Sequence, residues 1–305
     1  MAVDLTWSSP TAAQGSSGLA LVTGDTLTQT SWQATISNIY LLSQLAQGPG
    51  QLQYVSATSI RFRAVNGSVI RIAGTLYNLT ADITAANTNI YIDGSSGSSL
   101  GASTLYYVYL FSNSGTLTVD FSATAYAIDS TTGNYGTYIK TGVASRTLIG
   151  MIRTNASSQF VDGATQRFVR SWFNDPGIQV LNNFTTDRAT TSTTFAELST
   201  EIRCEFLAWT GEIVRVNFSG QMESAGAGVG IISVGFDGTT AEDVENATGA
   251  VAYNGTSFSL FKGGLAEGYH YATVLALQTS GNTTQVHTNA NSAGKRPTLR
   301  VAARR

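Results

Sequence analysis

The stretch LYYVYLFSNSGTLTVDFSA, Leu105–Ala123, decides the reading of the fold. Both halves are rich in aromatic and β-branched residues, the types that fit a pleated surface. Asn113-Ser114-Gly115 stands between them and supplies turn chemistry. The pattern predicts a β-hairpin. Moving outward, LQYVSA, SIRFRAV, SVIRIAG and NIYIDG, between Leu52 and Gly94, are short, alternating and punctuated by glycine and asparagine. In RFRAV-NG-SVIRI, Asn66-Gly67 offers the positive φ angles of a type I′ turn, which predicts a second hairpin. GSSGSSLGAS, Gly94–Ser103, reads as a flexible loop. Beyond Pro176 the style repeats. Val214, Val216 and Phe218 share one side of a strand. So do Ile232, Val234 and Phe236, and so do Tyr271, Thr273, Leu275 and Leu277.

One segment breaks the period of two. In TSWQATISNIYLLSQLAQGPG, Thr30 caps a helix and Gln33 completes a capping box. Trp32, Ile36, Ile39, Leu42 and Leu45 recur at steps of three and four and share one face, and Gly48-Pro49 stops the helix. An apolar helical face beside a Ser/Thr/Ala/Gly-rich leader needs a partner. The expected fold is all-β: two antiparallel β-sandwich or jelly-roll-like domains preceded by one N-terminal α-helix. The expected boundaries are residues 1–50 for leader and helix, 51–176 for the first β domain and 177–305 for the second. FNDPGIQ around Pro176 marks the division.

Composition narrows the function. Charged residues are 12% of the chain, about half of the ~25% in ordinary soluble domains. Net charge is −2, so no basic field recruits nucleic acid. The hydrophobic share of 42% argues against disorder. Cys204 is the single cysteine, which excludes an intrachain disulfide, and its run EIRCEFLAW reads as a buried strand. No apolar run approaches membrane-spanning length. MAVDLTWSSP has no basic region followed by an apolar stretch, so the expectation is cytosolic synthesis without a secretory signal.

RTLIGMIRTNASSQFVDGATQRFVRSWFN, Arg146–Asn174, concentrates Arg146, Arg153, Arg167 and Arg170 in a chain otherwise poor in charge. Guanidinium forks there could grip an acidic glycan. Alternatively they are architectural, with Arg146, Arg153 and Arg170 paired to carboxylates or carbonyls across a subunit interface while Trp172 and Phe173 plug into a core or interface. No catalytic constellation is read. His270 and His287 lack the further ligands of a zinc site, and His270 between two tyrosines reads as an ordinary strand residue. FDGTTAEDVENATG, Phe236–Gly249, is a solvated turn before it is a calcium loop. No cofactor or metal is expected. Tyr253-Asn254-Gly255, Tyr269 and Asn282-Thr283 suit sugar recognition as well as sheet packing, because rings stack on sugar faces and amides bind the edges.

Two segments carry a resemblance. VTGDTLTQTSWQATISNIYLL, Val22–Leu42, resembles the Thr-Gly-Asp/Glu-x-Leu/Ile-Thr-Ala-x-x-Trp-Asn opening near the amino terminus of many tailed-phage fibre and appendage proteins. Gln29-Thr30 and Gln33 depart from that pattern. Arg146–Asn174 is similar to a segment found in a range of phage tail-fibre and virion proteins, and Gly264–Arg305 resembles the β-sandwich tips of trimeric fibres. The resemblance implies a non-enzymatic virion protein made in the bacterial cytoplasm. It would be a homotrimer attached to tail or capsid proteins by its amino end, contacting a bacterial surface glycan or protein with its carboxyl end. A segment shared by fibres with different hosts favours the architectural reading of the arginines. Trp32, Ile36, Ile39, Leu42, Arg170, Trp172 and Phe173 become the expected attachment or oligomer interface, and Tyr253, Asn254, Tyr269 and Asn282 the expected receptor contacts. The alternatives are a purely structural head fibre or decoration, and a glycan-cleaving spike.

Overall fold

The computed structural model describes residues 48–65, 69–249, 254–288 and 296–303. The expected helix, with Trp32, Ile36, Ile39 and Leu42, lies outside the described residues, as do the Asn66-Gly67 turn and Tyr253. Strands β1 (Gly50–Ser56), β2 (Ser59–Ala64), β3 (Val69–Ile72), β4 (Thr75–Asn78), β5 (Ile83–Ala86), β6 (Thr88–Ile92) and β7 (Ser95–Ser99) come first. Next are β8 (Leu105–Asn113), β9 (Thr116–Ser122), β10 (Tyr126–Ile128), β11 (Tyr138–Lys140), β12 (Val143–Arg153), β13 (Gln166–Arg167) and β14 (Val169–Ser171). Then come β15 (Ile178–Asn183), β16 (Arg188–Thr190), β17 (Ala196–Glu197), β18 (Cys204–Ala208), β19 (Val214–Ala225) and β20 (Gly230–Phe236). β21 (Ala241–Thr248), β22 (Asn254–Lys262), β23 (Gly268–Gln278), β24 (Thr283–His287) and β25 (Thr298–Ala303) complete the order. The chain is all-β across the described residues apart from one 3-10 turn at Thr200–Ile202.

The expected Leu105–Ala123 hairpin forms. Asn113 pairs Thr116, and Ser114 and Gly115 take φ of 50° and 90° between β8 and β9. Both central residues of a type I′ turn need that region. The hairpin lies inside an eight-stranded sheet ordered β10-β11-β12-β8-β9-β6-β7, with β14 added beside β12. The hairpin expected around Asn66-Gly67 does not form. β2 pairs β1 and β5, while β3 pairs β4. Both ladder edges of β2 are already taken, so β3 turns instead through Ala73-Gly74, at φ 49° and 80°. Gly94–Ser103 is likewise no free loop: Ser95–Ser99 is the edge strand β7, and Asp93-Gly94 makes the tight turn into it.

Ile60, Phe62, Val108, Leu110, Phe121 and Ile149 are buried at the centre of the first core. The second core lies between two six-stranded sheets, β13-β18-β23-β20-β21 with β17, and β15-β25-β19-β24-β16 with β22. Val216, Phe218, Phe206, Val234, Val274 and Val301 meet there. Each such side chain contributes about 1.5–3 kcal/mol by leaving water. On β23 the core phase is Ala272 and Val274; the row Tyr271, Thr273, Leu275 and Leu277 occupies the opposite face. Cys204 is buried in this core, and burial pushes its thiol up to about 12. Pro176 does not mark a free linker. β13 precedes it, yet pairs in parallel with β18 of the second sandwich, and Leu181 N donates to Ala164 O at 2.7 Å.

β12 carries a bulge: Leu148 opposes Tyr109 and Gly150 opposes Val108, leaving Ile149 extra. Gly150 also pairs Ser171 of β14. A Cβ there would stand 2.6 Å from a Leu52 methyl and would press on the Arg170 carbonyl. Gly150→Ala is therefore expected to cost about 1–3 kcal/mol in a urea titration, the range for overpacking.

Candidate functional site: the arginine-carboxylate seam

Arg146–Asn174 runs through β12, β13 and β14, and each of its arginines is engaged within the chain. Arg146 Nε donates to Asp120 Oδ2 at 2.6 Å, and its guanidinium lies 3.8 Å from the Phe111 ring centre. Arg153 lies 4.0 Å over Tyr269. Arg167 meets Asp162 at 3.1 Å. Within the chain, Arg146 and Arg170 meet carboxylates and Arg153 lies over aromatic rings.

Arg170 is the centre of the site. It is 1% exposed. Nε donates to Asp175 Oδ2 at 2.8 Å, Nη2 to Glu212 Oε1 at 2.6 Å, and Nη1 to Glu212 Oε2 at 3.1 Å and to Leu207 O at 2.5 Å. Glu212 Oε2 also accepts from Trp209 N at 2.9 Å, and Asp175 Oδ1 from Gly177 N at 2.7 Å. Burial works against the guanidinium charge, but Glu212 and Asp175 outweigh it and hold Arg170 above its ordinary range. One side chain thus ties β14 to the end of β18 and to the loop entering β15.

Around this clamp lies an aromatic seam between the two cores. Leu148, Met151, Tyr107 and Tyr109 come from the first sheet system, Leu207 and Trp209 from the second. Trp172 packs 4.9 Å from Trp209 and 4.5 Å from Tyr138, centre to centre. Such contacts contribute about 0.5–1.5 kcal/mol each beyond burial. Tyr107 and Tyr126 donate their hydroxyls to Glu267 at 2.6 and 2.7 Å. Burial and the Glu267 hydrogen bond raise the Tyr107 pKa, which keeps its hydroxyl a donor. Tyr269 donates to Glu205.

The expected interface residues that lie in the described chain converge here. Trp172 sits in the seam, and Phe173 packs against the first core beside Gly48. Asn174 Nδ2 donates to Gly50 O at 3.0 Å, so this corner holds the chain as it enters β1. Of the expected receptor residues in the described chain, Asn254 and Asn282 both lie by the end of β19, and Tyr269 lies toward the opposite end of the sandwich. Asn254 donates to Thr248 at the start of β22, and Asn282 donates to Ala227 O at 2.6 Å. Tyr269 stands near the start of β23 and Asn282 just beyond its end, a span of about 30 Å at strand rise. Glu212 and Glu267 escaped the sequence reading. The available signal was a lone acid inside the apolar run FLAWTGEIV, which requires a buried cation.

His270 is buried, with Nδ1 2.6 Å from Asp237 Oδ2 and Nε2 2.8 Å from Ala266 O. Both partners are acceptors, so the ring serves them best with two protons. Burial opposes the charge, but the Asp237 and Ala266 contacts outweigh it and raise the His270 pKa. Of the expected turn Phe236–Gly249, the acidic stretch from Ala241 is strand β21.

No protein-family model matches the chain, and no curated protein matches it. Among solved structures it is similar to the insecticidal delta-endotoxin Cry8Ea1 of Bacillus thuringiensis, at 9% identity and a TM-score of 0.26 over 84% of this chain and 52% of that one. The chain thus spans about half the length of the endotoxin. It is similar to the infectious bursal disease virus Gt strain at 13% identity, TM-score 0.26, over 87% of this chain and 82% of that one. It is also similar to the VP2 subviral particle of that virus at 10% identity, TM-score 0.25, over 88% and 82%. Likenesses this distant carry no argument about fold or function.

Arg170→Ala leaves two carboxylates facing one another in a buried site, and is expected to cost about 3–5 kcal/mol by denaturant titration. Arg170→Lys should recover little of it, because one ammonium cannot fork to Glu212 while reaching Asp175.

The pH dependence has a defined sign. The raised His270 pKa gives stability that is present below about pH 6.5 and lost as pH rises through the folded value. Burial outweighs the Arg167 attraction and raises Asp162 to about 6, so its stability also declines as pH rises from about 4 to 6. Partial burial works against the charges of Glu197 and Glu201, but their arginine and threonine partners outweigh it and lower their pKa values, so that stability is lost on acidification below about pH 4.5. The melting temperature should peak near pH 5 and fall toward pH 8. Asp162→Asn should raise it at pH 8 and leave it unchanged at pH 4.

Proposed function

We propose that the chain is a virion structural protein: a non-enzymatic fibre or appendage subunit of a tailed phage. It attaches by its amino end and presents the C-terminal sandwich to the host surface. The observation that carries this reading is the position of Arg146–Asn174. The segment that resembles phage appendage proteins is the clasp joining the two β cores, which is an architectural task independent of any receptor. Its last residues, Phe173 and Asn174, hold the chain entry at Gly48–Gly50, where the leader and proposed helix join. A rigid join lets force and position pass from the attached end to the distal sandwich. Assembly as a homotrimer, with the apolar face of the 30–46 segment as its seam, would present three weak distal sites together, and avidity would replace tight single-site binding.

Light scattering on the purified full-length protein is expected to give the mass of three chains. Immunogold labelling of the particles that carry the chain should place antibody against the C-terminal sandwich at the distal end of an appendage, and added purified protein should compete with particles for adsorption to host cells. Label spread over the shell, with no competition, would assign the chain to a structural decoration instead.

A further inference from the structure

The sheet face formed by β15, β25, β19 and β22 is open to solvent on one side. Val214, Val216 and Phe218 turn inward, which leaves Arg215, Asn217 and Ser219 pointing out. Arg300 of β25 lies opposite Asn217, and Phe261 of β22 lies opposite Arg215. Arg215 and Arg300 are therefore diagonal neighbours, about 7–8 Å apart at the backbone. A shallow groove of about 500 Å³ runs between them, completed by Thr298.

Among the described residues, no carboxylate meets the charges on this face. Arg61, Arg146, Arg167, Arg170, Arg188 and Arg203 each meet a carboxylate. Among the described residues Arg63, Arg71, Arg153, Arg215, Arg296 and Arg300 have no carboxylate within ion-pair distance; of these, the exposed Arg215 and Arg300 are diagonal neighbours across β19 and β25. Arg215 Nε reaches Ser259 Oγ at 3.4 Å. Two like charges side by side are unfavourable until an anion lies between them. Phe261 is 71% exposed, and the Arg215 guanidinium stands 5.7 Å from its ring centre. An exposed ring, two guanidinium groups without an ion-pair partner among the described residues, and a rim of hydroxyls and an amide form a mixed surface. Rings take the C–H face of a sugar, forks take its anionic groups, and the rim takes its hydroxyls.

We propose that this face binds an acidic polysaccharide. Arg215 and Arg300 hold its carboxylate, sulfate or phosphate groups, and Phe261 packs against a sugar ring. The site rests on the reading that the C-terminal sandwich faces the host, and it lies on a different surface from Asn254, Tyr269 and Asn282. A two-fold contact between copies through this face is disfavoured, because it would set the arginines against their own copies.

The test uses full-length protein and calorimetric titration with polygalacturonate oligosaccharides, heparin oligosaccharides and neutral dextran. Binding to one or both acidic probes is expected, weakening as salt is raised, with dextran inert; the acidic probe that binds identifies carboxylate or sulfate as the preferred group. The double variant Arg215→Ala/Arg300→Ala should lose at least tenfold in affinity with its melting temperature unchanged, since both side chains are exposed. Phe261→Ala should weaken the oligosaccharides several-fold and preserve the salt dependence. Equal binding of dextran, no binding of either acidic probe, or undiminished binding by the double variant would overturn the site. So would a double variant whose change is a new mass in light scattering with polysaccharide affinity intact, which would make the face a contact between copies. If the double variant still competes with particles for adsorption, this site fails and the fibre reading stands. If the site binds as expected but particle labelling places the chain on the shell, the fibre reading fails and the site stands.

Discussion

Arg170 is the constraint on which the rest of the structure depends. A guanidinium at 1% exposure would be prohibitively unfavourable alone. It persists because Asp175, Glu212 and the Leu207 carbonyl surround it with matched acceptors. Those acceptors arrive from three places in the chain. The requirement to satisfy one buried charge therefore sets the position of β14, the exit of β18 and the loop around Pro176 together. A hydrophobic residue of similar volume could fill the space, but it would not demand this geometry. The clamp ties β14 to the end of β18 and to the loop entering β15 through one side chain.

The seam around the clamp shows how a chain with little charge uses the charge it has. Arg146, Arg167 and Arg203 pair with Asp120, Asp162 and Glu197 at partly buried positions, where an ion pair is less screened than at the surface. Tyr107 and Tyr126 reach across to Glu267. Trp172 and Trp209 meet edge to face between the cores. Apolar contacts supply the bulk of the adhesion, and the directional bonds choose one orientation. That combination suits a subunit whose proposed work is to hold a distal surface at a fixed place. The Arg215–Arg300 face uses the outward side chains of β19 and β25, and neither arginine takes part in the Arg170 clamp.

Local turn chemistry was legible where the ladder around it was free to obey it. Ser114-Gly115 closes β8 on β9 as its residues require. Asn66-Gly67 carries a stronger turn signal on paper, yet the flanking strands join different sheets, because β2 is paired on both edges by β1 and β5. Gly94–Ser103 has the composition of a loop, but an edge strand needs only backbone groups on one side, so β7 forms from serine and glycine. The arginine segment was legible as an unusual one, and Arg170, Trp172 and Phe173 do gather. Their partners were not legible, since Glu212 lies far along the chain. The expected sugar contacts at Asn254 and Asn282 lie by one end of β19, and Tyr269 lies toward the other end of the sandwich.

The sequence by itself determined the all-β class, the inward phases of β19 and β20, the burial of Cys204 and the Leu105–Ala123 hairpin. These follow from side-chain period and local backbone preference, which act over a few residues. Only the tertiary structure decided which strands pair, why Arg146–Asn174 is rich in arginine, and that Arg215 and Arg300 share one exposed face without a carboxylate partner among the described residues. Those facts depend on charges and ladder edges brought together across long stretches of chain, and the free energy of a buried or unpaired charge is a property of its surroundings.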